Sequence, residues 1–297
     1  MIQAASVSDG YKRHRISACL ITYNEVDRIR ECIESLFFCD EILVVDSHSR
    51  DGTRACARDC GAKVVERAWS GHIAQKEFAT RAARNEWVLC VDADERISEA
   101  LREEILDRQA AGFRDAAGYH MPRLSQYRGK WIRYGAWYPN RQLRLFDRRR
   151  GYWGGINPHD SVTVNGRLQR LRGDLLHIPY RTRQEQLQTI DQYTSIAAEE
   201  LLRRGCSAAP LRMVFNPAFR VIRSLVLKLG FLEGKRGIVL AAMEARYAYL
   251  KYRKLLALRR QRNAPGRMAP STLNRLVLPF GHLAAANEEG TRREGCR

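Results

Sequence analysis

Four short apolar runs, three of them closing on Thr, Asp or Asp and each followed by a segment with helical spacing, fill residues 16–92 and constrain this chain more than any other feature. Ile16-Ser-Ala-Cys-Leu-Ile-Thr22 is small and apolar throughout, the pattern of a strand covered on both faces. Glu41-Ile-Leu-Val-Val-Asp46, Lys63-Val-Val-Glu66 and Glu86-Trp-Val-Leu-Cys-Val-Asp92 repeat it. Between them, Ile29, Ile33, Leu36 and Phe37 recur at helical spacing behind Asn24 as a candidate cap. Thr53 to Cys60 gives a second helix stopped by Gly61, and Ile73 to Ala83 a third. Strands alternating with helices through short links predict an α/β fold, a mostly parallel sheet wrapped on both faces.

The rhythm changes after Asp94. Ser98 to Ala111 reads as a helix with Ser98 as its cap. Tyr119 to His177 is dense in aromatic, Gly and Arg residues, and runs such as Leu143–Phe146 and Ser161–Val164 predict antiparallel strands and binding loops. Thr182 to Arg204 is helical, Pro210 is a break, a basic helical region runs from Phe215 to about Arg262, and the tail after Pro265 reads as loosely ordered.

A chain of 297 residues with 45% hydrophobic content can bury a real core, and 28% charged residues without any long Pro, Ser or Gln tract exclude wholesale disorder. The net charge of +18 is local: Leu211 to Arg267 holds 14 Lys/Arg against 2 Glu. Nucleic acid, an anionic membrane leaflet and a plain solvated basic face all fit that excess. Eight cysteines with no CxxC pair do not form a zinc module, and Cys19 and Cys90 in apolar runs suit a reducing cytoplasm. The N-terminus lacks an apolar signal core, and no stretch approaches the ~18–20 apolar residues of a membrane span, so neither secretion nor a spanning helix is expected.

In an open parallel sheet, ligands bind beyond the carboxyl ends of the strands. Asn24 and Glu25 follow strand one, Asp46 ends strand two, and Asp92, Asp94 and Glu95 follow strand four. Carboxylates converging there repel one another unless something cationic lies between them, and a divalent metal is the simplest answer. Asp92 and Asp94, two apart in an extended segment, face one side; oxygen ligands of this kind suit Mg²⁺ or Mn²⁺. A lone DxD also arises in solvated acidic turns, but its place directly after an apolar strand favours the metal. Neither GxxxxGKS nor GxGxxG follows strand one, which argues against a P-loop kinase or a dehydrogenase and towards sugar-nucleotide chemistry.

Ile21-Thr-Tyr-Asn-Glu25, Val44-Val-Asp-Ser-His-Ser-Arg-Asp-Gly-Thr53 and Val91-Asp-Ala-Asp-Glu95, in this order and spacing, resemble a family 2 glycosyltransferase of GT-A fold. The pattern continues through Trp69-Ser-Gly, Gln75-Lys76, Arg144-Leu-Phe146, Pro158-His-Asp160 and His177, and is similar to the bacterial lipopolysaccharide inner-core glucosyltransferase subfamily over roughly Ile16 to Leu256. The resemblance implies inverting transfer of a hexose, glucose foremost, from a UDP-sugar to a glycan hydroxyl. It implies that Thr22, Asn24, Glu25 and Asp46 hold base and ribose, that Asp94 binds the metal with Asp92 close to the nucleotide, and that Lys76 lies near the pyrophosphate. A solvated lysine is the plain alternative for Lys76. The general base implied is Asp160, one methylene shorter than the Glu of many relatives, with capping or pairing to Arg123, Arg144 or Arg170 as its structural alternative. His177 stands where some GT-A enzymes supply a further metal ligand, with a packed histidine after two leucines as the plain alternative, and His159 either orients Asp160 or satisfies a loop.

Trp131, Tyr134, Trp137, Tyr138, Arg141 and Arg144 mix aromatic faces with guanidinium forks, as a phosphorylated core oligosaccharide would require; an aromatic subcore with surface arginines is the alternative. The basic apolar runs Leu225–Leu232 and Gly237–Met243 suit helices lying in a membrane interface, with packing against the catalytic domain as the alternative. The division expected is a polar arm (1–15), a catalytic domain (16–205, with a nucleotide-sugar half 16–97 and an acceptor half 98–205), a basic membrane-associating region (206–262) and a tail (263–297). The partners expected are a UDP-sugar, a lipid-linked oligosaccharide and an anionic membrane surface at the inner face of the bacterial cytoplasmic membrane, with no nucleic acid. Two alternatives stay open: transfer to polyprenyl phosphate on the same fold, and a basic nucleic-acid-binding protein, for which no motif speaks.

Overall fold

The computed structural model describes residues 13–156, 159–206 and 210–263. Most of the polar arm, Pro158 and the tail after Pro265 lie outside the described residues, as does the side chain of His159.

Strand and helix alternate as the periodicity requires: β1 (Ile16–Thr22), α1 (Val26–Glu34), β2 (Glu41–Asp46), α2 (Thr53–Asp59), β3 (Lys63–Glu66), α3 (His72–Ala82) and β4 (Trp87–Asp92). There follow β5 (Glu95–Ile97), α4 (Glu99–Ala110), β6 (Gly118–Tyr127), β7 (Lys130–Trp131), β8 (Asn140–Asp147), β9 (Gly151–Ile156), β10 (His159–Val164), β11 (Leu168–Arg170) and β12 (Leu175–His177). Three helices close the described chain: α5 (Arg183–Arg203), α6 (Pro210–Ile222) and α7 (Lys235–Asn263), with a π turn (Arg223–Leu227) and a 3-10 turn (Gly230–Glu233) between the last two.

The main sheet runs β3-β2-β1-β4-β8-β6-β12-β5, with β7 and β11 also paired to β6, while β9 and β10 form a separate hairpin. Pairing is parallel from β3 to β4 and becomes mixed beyond it, because β8 runs antiparallel to both β4 and β6. Alternate residues of the central strands feed opposite faces. Ile16, Ala18 and Leu20 join Ile29, Ile33, Leu101 and Ile105 under α1 and α4; Cys19 and Ile21 join Ala79, Phe146 and Trp153 under α3 and the hairpin. Burying each such Leu or Ile stabilises the fold by about 1.5–3 kcal/mol, which is why these runs cannot slip register by one residue.

Two local expectations are corrected. Asn24 does not cap α1: its φ is 56°, its side-chain oxygen accepts from the Arg50 backbone N–H, and Glu25 precedes the first turn without a side-chain cap. Pro210 opens α6, where its missing N–H costs nothing. Ser98 does cap α4, accepting from the Leu101 N–H at 3.3 Å.

Candidate functional site

The parallel register brings the motif ends level: Thr22 lies opposite Asp46, and Ile21 opposite Asp92. Beyond that line two loops knit together. Asp46 is fully buried; Oδ2 accepts from Thr22 Oγ1 at 3.0 Å and from Ser49 Oγ, and Oδ1 accepts from the Ser49 N–H at 2.8 Å. The left-handed backbone at Asn24, tolerated by Asn better than by most residues, lets its N–H donate to Ser49 Oγ at 2.9 Å. The Glu25 N–H donates to Thr53 Oγ1 at 2.8 Å, and Arg181 Nη2 lies 3.1 Å from Glu25 Oε2. Thr22, Asn24, Glu25 and Asp46 are thus one rigid wall.

Asp92 stands in a buried charge cluster. Its Oδ1 is 2.9 Å from Lys76 Nζ and its Oδ2 is 2.5 Å from Arg144 Nη2. The same Arg144 nitrogen is 2.9 Å from Glu95 Oε1, which Arg123 Nη1 approaches at 3.2 Å. Burial disfavours the Arg144 charge, but Asp92 and Glu95 outweigh burial and hold its pKa above the ordinary arginine value. The expectation that one cation relieves all the acidic crowding is therefore corrected: Lys76, Arg144 and Arg123 neutralise Asp92 and Glu95, and hydroxyl and amide donors satisfy Asp46. Among the described residues, no group of three or more His, Cys, Asp or Glu is arranged to hold a metal ion.

A two-residue donor pair stands apart from that cluster. His177, at the end of β12, lies opposite Glu95 of β5 and Ser125 of β6. Its Nε2 is 3.4 Å from Asp94 Oδ2, and both side chains are fully buried. Ser125 Oγ, 2.9 Å from Nδ1, fixes the ring, while Nε2 has no hydrogen-bond partner. Burial, then Arg123, hold the His177 pKa below its ordinary value, so the imidazole is neutral at pH 7. A carboxylate oxygen beside a neutral, oriented imidazole nitrogen fits Mg²⁺ or Mn²⁺, whose remaining ligands would be water and phosphate oxygens.

Asp160 reaches the cluster from β10. The β9–β10 hairpin rests on α3, where Trp153 Nε1 donates to Thr80 Oγ1 at 3.0 Å and the Trp153 N–H to Glu77 Oε2 at 2.9 Å. One turn before Thr80, Lys76 Nζ lies 2.8 Å from Asp160 Oδ2 and 4.9 Å above the Trp153 ring. Burial pushes the Asp160 carboxyl up, yet Lys76 together with His72 offsets this and the net shift is down; the Lys76 pKa is raised in turn, Asp160 and Asp92 outweighing its burial. Asp160 is thus an ionised carboxylate with its side chain 18% exposed, open to a proton from a bound hydroxyl.

The expected aromatic and arginine cluster is divided. Trp137 is buried with Tyr127, Ile132 and Leu240, and Arg144 belongs to the charge cluster, so neither presents an open stacking face or a free fork to an acceptor. Tyr138 donates its hydroxyl to Asp174 Oδ1 at 3.0 Å, and Arg141 Nη1 reaches the Leu171 carbonyl at 3.4 Å. Residues that sequence reasoning missed are Arg28, Ser125, Trp153 and Arg181. Arg28 Nη1 stands 3.8 Å from Asp94 Oδ2. The available signal was Arg123 and Ser125, polar side chains spaced two apart in an otherwise buried strand.

The family model described as Glycosyl transferase family 2 matches residues 17–171. An uncharacterized glycosyltransferase of Rickettsia typhi is 30% identical over 252 residues, 81% of this chain and 86% of that protein. The lipopolysaccharide core biosynthesis glycosyltransferase LpsC of Rhizobium meliloti is 31% identical over 252 residues, 81% of this chain and 91% of its own length. The structure of mannosyltransferase PcManGT from Pyrobaculum calidifontis, in complex with GDP-Man and Mn²⁺, aligns with a TM-score of 0.52 at 18% identity, covering 83% of this chain and 88% of that one. The α/β architecture expected from the strand pattern is the fold observed.

Proposed function

This chain belongs to glycosyl transferase family 2, and from that premise we propose that it moves a hexose, glucose foremost, from a UDP-sugar with inversion to a hydroxyl of a lipid-linked glycan of the lipopolysaccharide inner core. The observation that carries this reading is the bridge Asp92–Lys76–Asp160, an ammonium between two carboxylates, together with the separate Asp94–His177 pair. The name of LpsC supports the acceptor, and the nucleotide sugar and Mn²⁺ in the PcManGT complex support the donor and metal.

The wall formed by Thr22, Asn24, Glu25 and Asp46 binds the nucleoside, its hydrogen bonds already made so that little order is lost on binding. Lys76 offers its ammonium to the diphosphate. Asp94 and His177 would hold the divalent cation, which supplies charge neutralisation to the departing diphosphate when bound. Asp160 takes the proton from the acceptor hydroxyl as that oxygen attacks the anomeric carbon. Of the acceptor residues expected, Arg141 and Tyr138 keep that role, while Arg144 orients Asp92. The acceptor places the enzyme at the inner face of the bacterial cytoplasmic membrane; among the described residues no helix is long and apolar enough to cross it.

A donor screen tests the reading. UDP-glucose, UDP-galactose, UDP-N-acetylglucosamine and GDP-mannose are offered with Mg²⁺ or Mn²⁺, and nucleotide release is scored with and without lipid-linked core oligosaccharide. Acceptor-dependent release from UDP-glucose is expected. Silence with every donor from folded protein defeats the proposal.

A further inference from the structure

The segment between α6 and α7 carries an apolar surface that the catalytic reading does not use. Leu211, Phe215, Phe219, Ile222 and Val226 recur at intervals of four, four, three and four residues, one stripe along α6 and into the π turn, and each is between 53% and 67% exposed. Phe231, 56% exposed, extends it on the 3-10 turn. Scattered exposed apolar residues are ordinary, but a continuous stripe of Leu, Phe, Ile and Val marks an interaction site. By contrast, the other apolar run expected to face a membrane, Gly237–Met243, turns Leu240 and Ala241 into the interior.

The charge beside the stripe selects its occupant. Arg212, Arg220 and Arg223 repeat the same spacing one residue later, so a basic row flanks the apolar one. Between residues 211 and 238 the sole acidic residue is Glu233, which is buried, is paired with Lys130 at 3.2 Å and accepts from the Arg133 N–H at 2.8 Å. Glu244 of α7 faces Arg220, Arg223 and Lys228, one carboxylate against three cations. A two-fold contact between copies would set these rows against each other with a surplus of positive charge on both sides. An anionic bilayer surface meets both demands, since its acyl boundary takes the apolar row and its headgroups the cations.

The surface is also coupled to the site. The Gly135 N–H donates to the Lys228 carbonyl at 2.8 Å, and a Cβ on Gly135 would meet Ser224 Oγ at 3.4 Å and Gly230 Cα at 3.5 Å, so the turn is seated on the loop leading to Trp137. Trp137 in turn packs near Tyr180, at 6.4 Å between rings, and Tyr180 lies close enough to Asp94 for that carboxylate to add to the effect of burial on its hydroxyl.

We propose that the face formed by α6 and the two turns after it, with its flanking arginines, docks the enzyme on an anionic membrane leaflet. This deepens the lipid-linked acceptor reading by naming the surface that brings the enzyme to it. The test is co-sedimentation of the full chain with vesicles of phosphatidylcholine alone or mixed with phosphatidylglycerol. The unaltered chain should partition onto the mixed vesicles and be released by salt, because headgroup attraction is screened. Phe215→Ser with Phe219→Ser should lower partition at least about tenfold, and Arg212→Glu with Arg220→Glu about fivefold or more per cation. Both variants should melt like the unaltered chain and bind UDP equally well. Failure of the unaltered chain to sediment with mixed vesicles overturns the proposal, as does undiminished binding by both variants, or a dimer in sedimentation velocity that Phe215→Ser dissolves. Vesicle binding is read without sugar transfer, so this result and the donor screen fail separately.

Discussion

Lys76 Nζ and Asp160 Oδ2, 84 positions apart in the chain, stand 2.8 Å from each other. The pair has a direct consequence for pH dependence. Burial is the largest influence on the Asp160 carboxyl and raises it, but Lys76, assisted by His72, brings the net shift down. Lys76→Met keeps the stem and removes the charge, so burial and the neighbouring Asp92 then act unopposed by the ammonium and the carboxyl moves up. A base works only when ionised, so the acid limb of the kcat/KM profile should shift to higher pH in this variant. The maximum should also fall by about 10²-fold, since a diphosphate contact is lost. An unmoved acid limb with a lower plateau would assign Lys76 to the leaving group alone.

Asp160 itself separates binding from chemistry. Asp160→Asn should lower kcat by about 10²- to 10⁴-fold, the usual contribution of a general base, while UDP affinity measured by calorimetry stays unchanged. Asp160→Glu, which restores a carboxylate with one more methylene, should recover part of the loss. Equal turnover in Asp160→Asn and the unaltered enzyme would remove Asp160 from the proton path.

The parallel half of the sheet was legible because its signals are local. An apolar run covered on both faces can only be an inner strand, and once Thr22, Asp46 and Asp92 each end such a run, parallel pairing brings them level without further information. The pairing of the counter-charges with Asp92 and Glu95 was not legible. Arg123 and Arg144 lie on strands that reach the cluster from the antiparallel part of the sheet, and Arg28 looks like an ordinary polar residue in the first turn of α1. Sequence position therefore favoured a metal among all the carboxylates, where the fold instead supplies guanidinium partners for Asp92 and Glu95. Trp137 misled for a related reason: aromatic residues crowd the segment, but only tertiary packing decides that Leu240 of α7 covers one of them.

The Asp94–His177 pair should be visible by metal binding without catalysis. In the presence of UDP, Mn²⁺ affinity read by electron paramagnetic resonance should fall by about 10- to 100-fold in Asp94→Asn and in His177→Asn. Since burial and Arg123 hold the imidazole below its ordinary pKa, proton competition at Nε2 sets in only at more acid pH than for a free histidine, and the loss of Mn²⁺ affinity in acid should be displaced downward accordingly. A decline centred near the free-imidazole value would place the cation against a different histidine.

Arg144 provides the sharpest stability prediction, because one nitrogen serves two buried acids. Its Nη2 lies 2.5 Å from Asp92 and 2.9 Å from Glu95, and all three side chains are at most 4% exposed. Arg144→Met preserves much of the volume but leaves two carboxylates with Lys76 and Arg123 as their remaining cations. Removing one member of a buried ionic group costs about 3–5 kcal/mol, because the desolvation of the others is no longer compensated. For a chain of this size the Tm should fall by on the order of 10 °C. Arg144→Lys retains the charge but replaces a planar fork with a single ammonium, so it should recover part of that loss and not all of it. If the cluster were a mere surface pair, both variants would melt within a degree or two of the unaltered protein in differential scanning calorimetry.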